Sequence, residues 1–226
     1  MAAPSKIQTW QMTKATDPKT GEKGVLERTE IDVPALGPGD VLVEVAGCGV
    51  CHTDLSYFYD GVPTVVKPPL SLGHEISGTV VAGPAEWVGK EVLVPAVMPC
   101  NACPMCAAGR GNRCLAQKMP GSSLGVYGGF SSHIAVPFAD LCVIDKREVP
   151  LSHLSVIADA VTTPYQAAMR ASLTPGDRVV IVGACGGVGI YMTQVAKALG
   201  AGTVIGIDID DAKLVRALQF GADATI

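Results

Sequence analysis

The sequence is poor in aromatic residues, has no excess of positive charge and contains no long apolar run. Phe, Trp and Tyr make up 5% of its 226 residues. Lys and Arg number 17 against 21 Asp and Glu, a formal net charge of −4 at pH 7. Nucleic-acid and anionic-membrane binders carry a basic excess, so those partners are not expected. The longest apolar stretches, such as 179–182, have strand length and are too short to span a bilayer. Residues 1–23 are polar and lack the apolar segment of a secretory signal, which leads to the expectation of a reducing cytoplasm. There is no repeat and no low-complexity tract.

What is present is a globular composition, 48% apolar and 17% charged. Gly at 26 and Pro at 16 imply many tight turns. Eight Cys in a reducing compartment favour metal ligation or catalysis over disulfides.

Two regions differ in character. Residues 1–150 carry short β-branched runs bounded by Gly or Pro, at 40–46, 76–82 and 90–95, which suggests an antiparallel barrel. From 151 to 226 the pattern becomes α/β. An Ala-rich helix is expected over 154–172, bent or divided at Pro164. A strand ending at Val182, a glycine-rich loop, a helix over 190–199 and a strand over 203–208 follow, and Asp210 is placed to cap a further helix. That is a βαβ unit. A two-stranded nucleotide-binding sheet would leave an open apolar edge, so the sequence reads as part of a longer chain; a naturally short protein is the alternative.

Cys100, Cys103, Cys106 and Cys114 form C-x2-C-x2-C-x7-C. Four thiolates so spaced can converge tetrahedrally on one zinc ion at about 2.3 Å each, leaving no open position, so this site is read as structural. Unrelated thiols, two disulfides or an iron–sulfur cluster are the alternatives.

The loop Gly183, Ala184, Cys185, Gly186, Gly187, Val188, Gly189 follows an apolar strand and opens a helix. It resembles the dinucleotide fingerprint, with Ala184 at the place of its first glycine. Backbone N–H groups and the helix N-terminus would hold a pyrophosphate. Asp208, at the end of the next strand, would accept bonds from the ribose hydroxyls and repel a 2′-phosphate, favouring NAD over NADP. A glycine-rich turn of another α/β fold is the alternative.

Two further motifs, G-x-C-x-T-D around Cys51 and G-H-E at Gly73, His74 and Glu75, complete a set that resembles the zinc-containing medium-chain alcohol dehydrogenases over essentially the whole chain. The resemblance implies a GroES-like barrel catalytic domain over 1–150 and the first part of a Rossmann NAD-binding domain over 151–226. It implies two zinc ions per chain, with Cys51 and His74 on the catalytic one and Glu75 just behind it. The third ligand would be Asp159, where many relatives have Cys; a capping or surface carboxylate is the other reading of that residue. By the same resemblance Thr53 begins a proton relay, and Ser56 stands where many relatives have a relay His. Tyr57, water or a ribose hydroxyl would then complete the path. His52 matches a pyrophosphate contact and Thr163 a position against the nicotinamide. Homo-oligomers, dimers or tetramers, are implied as well.

Within the family, residues 57–64 and 110–121 resemble the 6-hydroxycyclohex-1-ene-1-carbonyl-CoA dehydrogenases. The implied reaction is hydride transfer from a secondary ring alcohol of a CoA thioester to NAD, with Arg110, Arg113 and Lys118 as candidate CoA contacts. A simple or aromatic alcohol is the alternative substrate. A non-catalytic zinc-stabilised binding protein or inactive fragment and a zinc-free quinone reductase are the readings of other classes. His133 is expected on a strand, His153 at a helix entry, Cys48 and Cys142 as small core residues, and Cys185 as filler.

Overall fold

The computed structural model describes residues 4–226. The chain divides into two compact units, one running through Ala158 and the other Asp159–Ile226.

The first unit is built on β-strands. They are β1 (Lys6–Lys14), β2 (Val25–Asp32), β3 (Asp40–Gly49), β4 (Leu70–Ser71), β5 (Glu75–Ala82), β6 (Glu91–Val94), β7 (His133–Pro137) and β8 (Cys142–Val143). A three-stranded sheet runs β2-β1-β4 and a five-stranded sheet runs β7-β3-β5-β6-β8, every pairing antiparallel. Val41, Val43, Ile76, Val80, Val92, Val94, Ile134 and Val136 form the core of the larger sheet. Each such side chain stabilises the unit by about 1.5–3 kcal/mol through removal from water. Two short helices interrupt the strands, α1 (His52–Tyr59) and α2 (Pro104–Ala107). The strands read at 40–46, 76–82 and 90–95 are β3, β5 and β6; β3 continues to Gly49 and so delivers the chain to Cys51.

Three expectations are corrected here. The helix expected over 154–172 is two elements, a 3-10 helix Leu151–Ala158 and α3 (Thr162–Arg170). Pro164 does not divide it. It sits in the first turn of α3, where its missing N–H would have had no intrahelical partner. The 3-10 helix packs on β3 and β5, and Ser77 Oγ donates to the Leu151 carbonyl at 2.7 Å. Residues 151–158 therefore stay with the first unit, and the boundary expected near 150 falls after Ala158. Cys142 is not a core residue: it lies on β8, an edge strand, with its side chain exposed. Cys48 does pack against the core. His133 begins β7, and His153 lies in the 3-10 helix.

The second unit contains α3, β9 (Arg178–Val182), α4 (Gly187–Ala198), β10 (Thr203–Ile207), α5 (Asp211–Gln219) and β11 (Ala224–Thr225). Its sheet is parallel, in the order β11-β10-β9. The sequence reading lacked β11, which has only two residues and no apolar run to reveal it. Ile181, Ala184, Ala196 and Val204 fill the space between sheet and helix. Asp210 caps α5 as expected, accepting from the Lys213 N–H at 3.1 Å. Among the described residues no helix is long and apolar enough to cross a membrane.

Candidate functional site

Cys51 ends the run from β3 and is the N-cap of α1; His74 immediately precedes β5 and Glu75 is its first residue. Antiparallel pairing of β3 with β5 sets Gly49 opposite Glu75, which brings the two motifs to the same end of the sheet. Cys51 is half-buried, while His74 and Glu75 are buried. Their ligand atoms lie within 4.8 Å of one another. A hydrogen bond with His74 is the main influence holding the Cys51 thiol below its ordinary pKa, against the opposing effect of burial. A thiolate and an imidazole brought this close fit the donor set of a zinc site.

Asp54 is a site residue that the sequence did not single out. It is buried on α1, and its carboxylate joins the two motifs. One oxygen accepts from the Cys51 N–H at 3.1 Å and the other from the Gly73 N–H at 2.9 Å. The second oxygen also lies 3.5 Å from His74 Nδ1. Its only sequence signal was its place in the T-D dipeptide after Cys51. Thr53 Oγ1 is 3.6 Å from Cys51 Sγ. Ser56 donates to Asp60 at 2.9 Å across the last turn of α1, and His52 is exposed at the start of that helix.

The four-cysteine lobe surrounds α2. The sulfurs of Cys100, Cys103, Cys106 and Cys114 lie within 4.8 Å of one another, and all are free thiols. Backbone N–H groups of Cys100 and Ala116 point at Cys114 Sγ, at 3.2 and 3.3 Å. The N–H groups of Leu115 and Cys106 draw Cys103 down to about 6, while desolvation and Cys103 push Cys106 up to about 11. N–H dipoles aimed at sulfur stabilise thiolates, so the lobe fits one tetrahedral zinc. Arg110, Arg113 and Lys118 are exposed on it.

In the second unit, Thr163 Oγ1 donates to Asp159 Oδ1 at 2.5 Å. The N-cap of α3 is Val161, so Asp159 is not the cap of that helix. The glycine loop joins β9 to α4 through Gly183, at φ +73°, with Gly186 as the N-cap. A methyl on Gly189 would strike the Gly183 carbonyl, whereas Gly187 faces open space. Glycine therefore serves close packing at 189 and access at 187. Val188 is exposed in the first turn. Asp208 Oδ2 accepts from the Cys185 N–H and Oδ1 from the Ile209 N–H, both at 2.8 Å. These bonds hold its carboxyl below the usual range. Asp208 also raises the Cys185 thiol, after the larger effect of desolvation. A cavity of about 170 Å³ beside the loop is lined by Cys185, Gly186, Gly187, Ile190, Lys213 and Arg216. The two cations went unnoticed in the sequence because they lie on α5, beyond the fingerprint.

Comparison with known proteins agrees with this architecture. Residues 37–146 match the alcohol dehydrogenase GroES-like domain. The chain is 36% identical over 204 residues to L-threonine 3-dehydrogenase from Symbiobacterium thermophilum, covering 87% of this chain and 56% of that protein. It is 37% identical over 215 residues to an NAD-dependent alcohol dehydrogenase from Sulfolobus acidocaldarius, covering 91% and 61%. Among solved structures, acetophenone reductase from Geotrichum candidum in complex with NAD superposes with a TM-score of 0.85 at 31% identity, covering 100% of this chain and 64% of that one. The chain thus spans less than two thirds of the length of these relatives. An antiparallel β unit followed by a parallel α/β unit is the fold that this chain shares with solved relatives such as acetophenone reductase, and its residues 37–146 match the alcohol dehydrogenase GroES-like domain.

Proposed function

We propose that this chain is the zinc- and NAD-binding portion of an alcohol dehydrogenase. The observation that carries the reading is the convergence of Cys51 and His74, held by Asp54, in a unit followed by a glycine loop with an acidic residue on the next strand. Cys51, His74 and Asp159 hold the catalytic zinc, and the four cysteines hold a second. Asp159 is peptide-bonded to the 3-10 helix that packs on β3 and β5, and Thr163 orients its carboxylate. One thiolate, one carboxylate and a neutral imidazole neutralise Zn²⁺. When bound, zinc supplies Lewis acidity toward an alcohol oxygen and NAD is the hydride acceptor.

The chain's own residues do the rest. Thr53, beside Cys51, would relay the alcohol proton, giving up its own hydroxyl proton as it accepts; Ser56 can pass a proton but not hold it, so Tyr57, water or a ribose hydroxyl would deliver it to solvent. Glu75 sits behind the ligands and adds negative charge. N–H groups of the glycine loop and His52 hold the pyrophosphate, Thr163 borders the nicotinamide, and Asp208 selects NAD by repelling a 2′-phosphate.

For the substrate we infer a secondary ring alcohol of a CoA thioester, 6-hydroxycyclohex-1-ene-1-carbonyl-CoA, giving the 6-oxo product. Exposed Arg110, Arg113 and Lys118 supply cations for the CoA phosphates. The names of the relatives favour a second reading, a small free alcohol. Elemental analysis tests the metal reading: two zinc ions per chain support it and one removes it. NAD reduction assayed with the CoA ester and with small secondary alcohols separates the substrates. An Arg113→Ala variant with an unchanged KM for the ester would remove the CoA assignment.

A further inference from the structure

The residue before His74 is clamped from both sides. Gly73, at φ +94°, gives its N–H to Asp54 and accepts at its carbonyl from the Gly129 N–H at 2.7 Å. The 126–130 segment runs on as a strap: the Phe130 N–H reaches the Leu72 carbonyl at 2.9 Å, and the Ser71 N–H reaches the Val126 carbonyl at 3.0 Å. The strap is itself tied to β1, since the Trp10 N–H donates to the Phe130 carbonyl at 2.9 Å.

Cys48 lies between the strap and the ligand segment. A Cβ on Gly73 would come 2.8 Å from its sulfur, and one on Gly129 2.5 Å. Behind it lies a cavity of about 410 Å³, whose walls include Thr9, Trp10, Arg28, Cys48 and Phe130. Cys48 thus touches both that cavity and the glycines beside His74. Loss of its sulfur would remove the packing that braces these hydrogen-bonded backbones, with open space beside them to accommodate small shifts.

We propose that Cys48 is a positioning residue for His74, its sulfur bracing the hydrogen-bonded pair of Gly73 and Gly129. The inference rests on the metal reading above. It explains a partly buried thiol that the proposed chemistry does not use and that desolvation pushes well above its ordinary pKa.

The test loads the full chain with cobalt(II) and follows metal transfer to an excess of coloured chelator, together with the visible absorption of the bound ion. The chain without substitutions should bind two cobalt ions; binding of one overturns the metal reading and this proposal with it. Given two, Cys48→Ala should release one of them roughly 10- to 100-fold faster and shift its absorption bands, the range typical of residues supporting metal ligands. Cys48→Ser, close in size, should restore slow release, while Cys48→Val should speed it by forcing the strap outward. Urea unfolding of each variant reports that the fold persists. Release from Cys48→Ala and Cys48→Val at the unsubstituted rate, with unchanged spectra, would overturn the positioning role alone.

Discussion

Asp208 Oδ2 and the Cys185 N–H, 23 residues apart in sequence, are joined by a 2.8 Å hydrogen bond that fastens the glycine loop to the end of β10. One carboxylate thus shapes the loop and presents charge beside it. Asp208→Asn keeps a single acceptor oxygen and removes the charge. NADH binding should weaken about tenfold, corresponding to about 1.4 kcal/mol, while discrimination against NADPH falls. Fluorescence titration with both nucleotides checks this, and an unaltered NADH/NADPH ratio would count against the charge argument.

Asp54 offers a test in the first unit. Its two oxygens each serve a different backbone N–H group, and Asn replaces one of those acceptor oxygens with an NH2 that can only donate. Asp54→Asn should cost about 2 kcal/mol of stability, as expected for a buried bond to a charged acceptor. It should also weaken the metal held through Cys51 and His74. Urea unfolding and chelator competition measure the two effects separately.

Thr163→Val removes the hydroxyl bonded to Asp159 while keeping the side-chain shape. Metal affinity should fall about tenfold if Asp159 is a ligand, since residues that orient ligands have effects of that order. Unchanged affinity in chelator competition would indicate that Asp159 is not a ligand.

The second unit should also fail in acid in a defined direction. Asp177, Asp208, Asp210 and Asp223 are all held below the ordinary carboxylate range, Asp223 chiefly by Lys197 and the others chiefly by backbone N–H groups. Each binds a proton less readily folded than unfolded. Their stabilisation is therefore full above the unfolded carboxylate pKa, about 4, and is lost as pH falls below it. The melting temperature of the chain should stay level from neutral pH to about 5 and then drop. Asp223→Asn should lower the plateau and soften the drop.

Chemistry carried by short spacings was visible in the sequence. The four cysteines fall within one short segment, so their convergence is nearly a local property, as is the strand–loop–helix order around Gly183–Gly189. The rest depended on contacts remote in sequence. Asp54 matters because it reaches Gly73, 19 residues away, and residues 151–158 belong to the first unit because they pack on β3 and β5. Cys48 and Cys142 looked alike as isolated thiols. Pairing sets the first opposite Ile76 beside the core and the second on an edge strand.

The two hydrogen bonds that Asp54 accepts also bear on the order of events. The N–H groups of Cys51 and Gly73 are tied to Asp54 within the chain itself. On the proposed metal reading, removing the ion with a chelator should leave these ties and the pairing of β3 with β5 in place, so that one metal can be exchanged for another without unfolding the first unit.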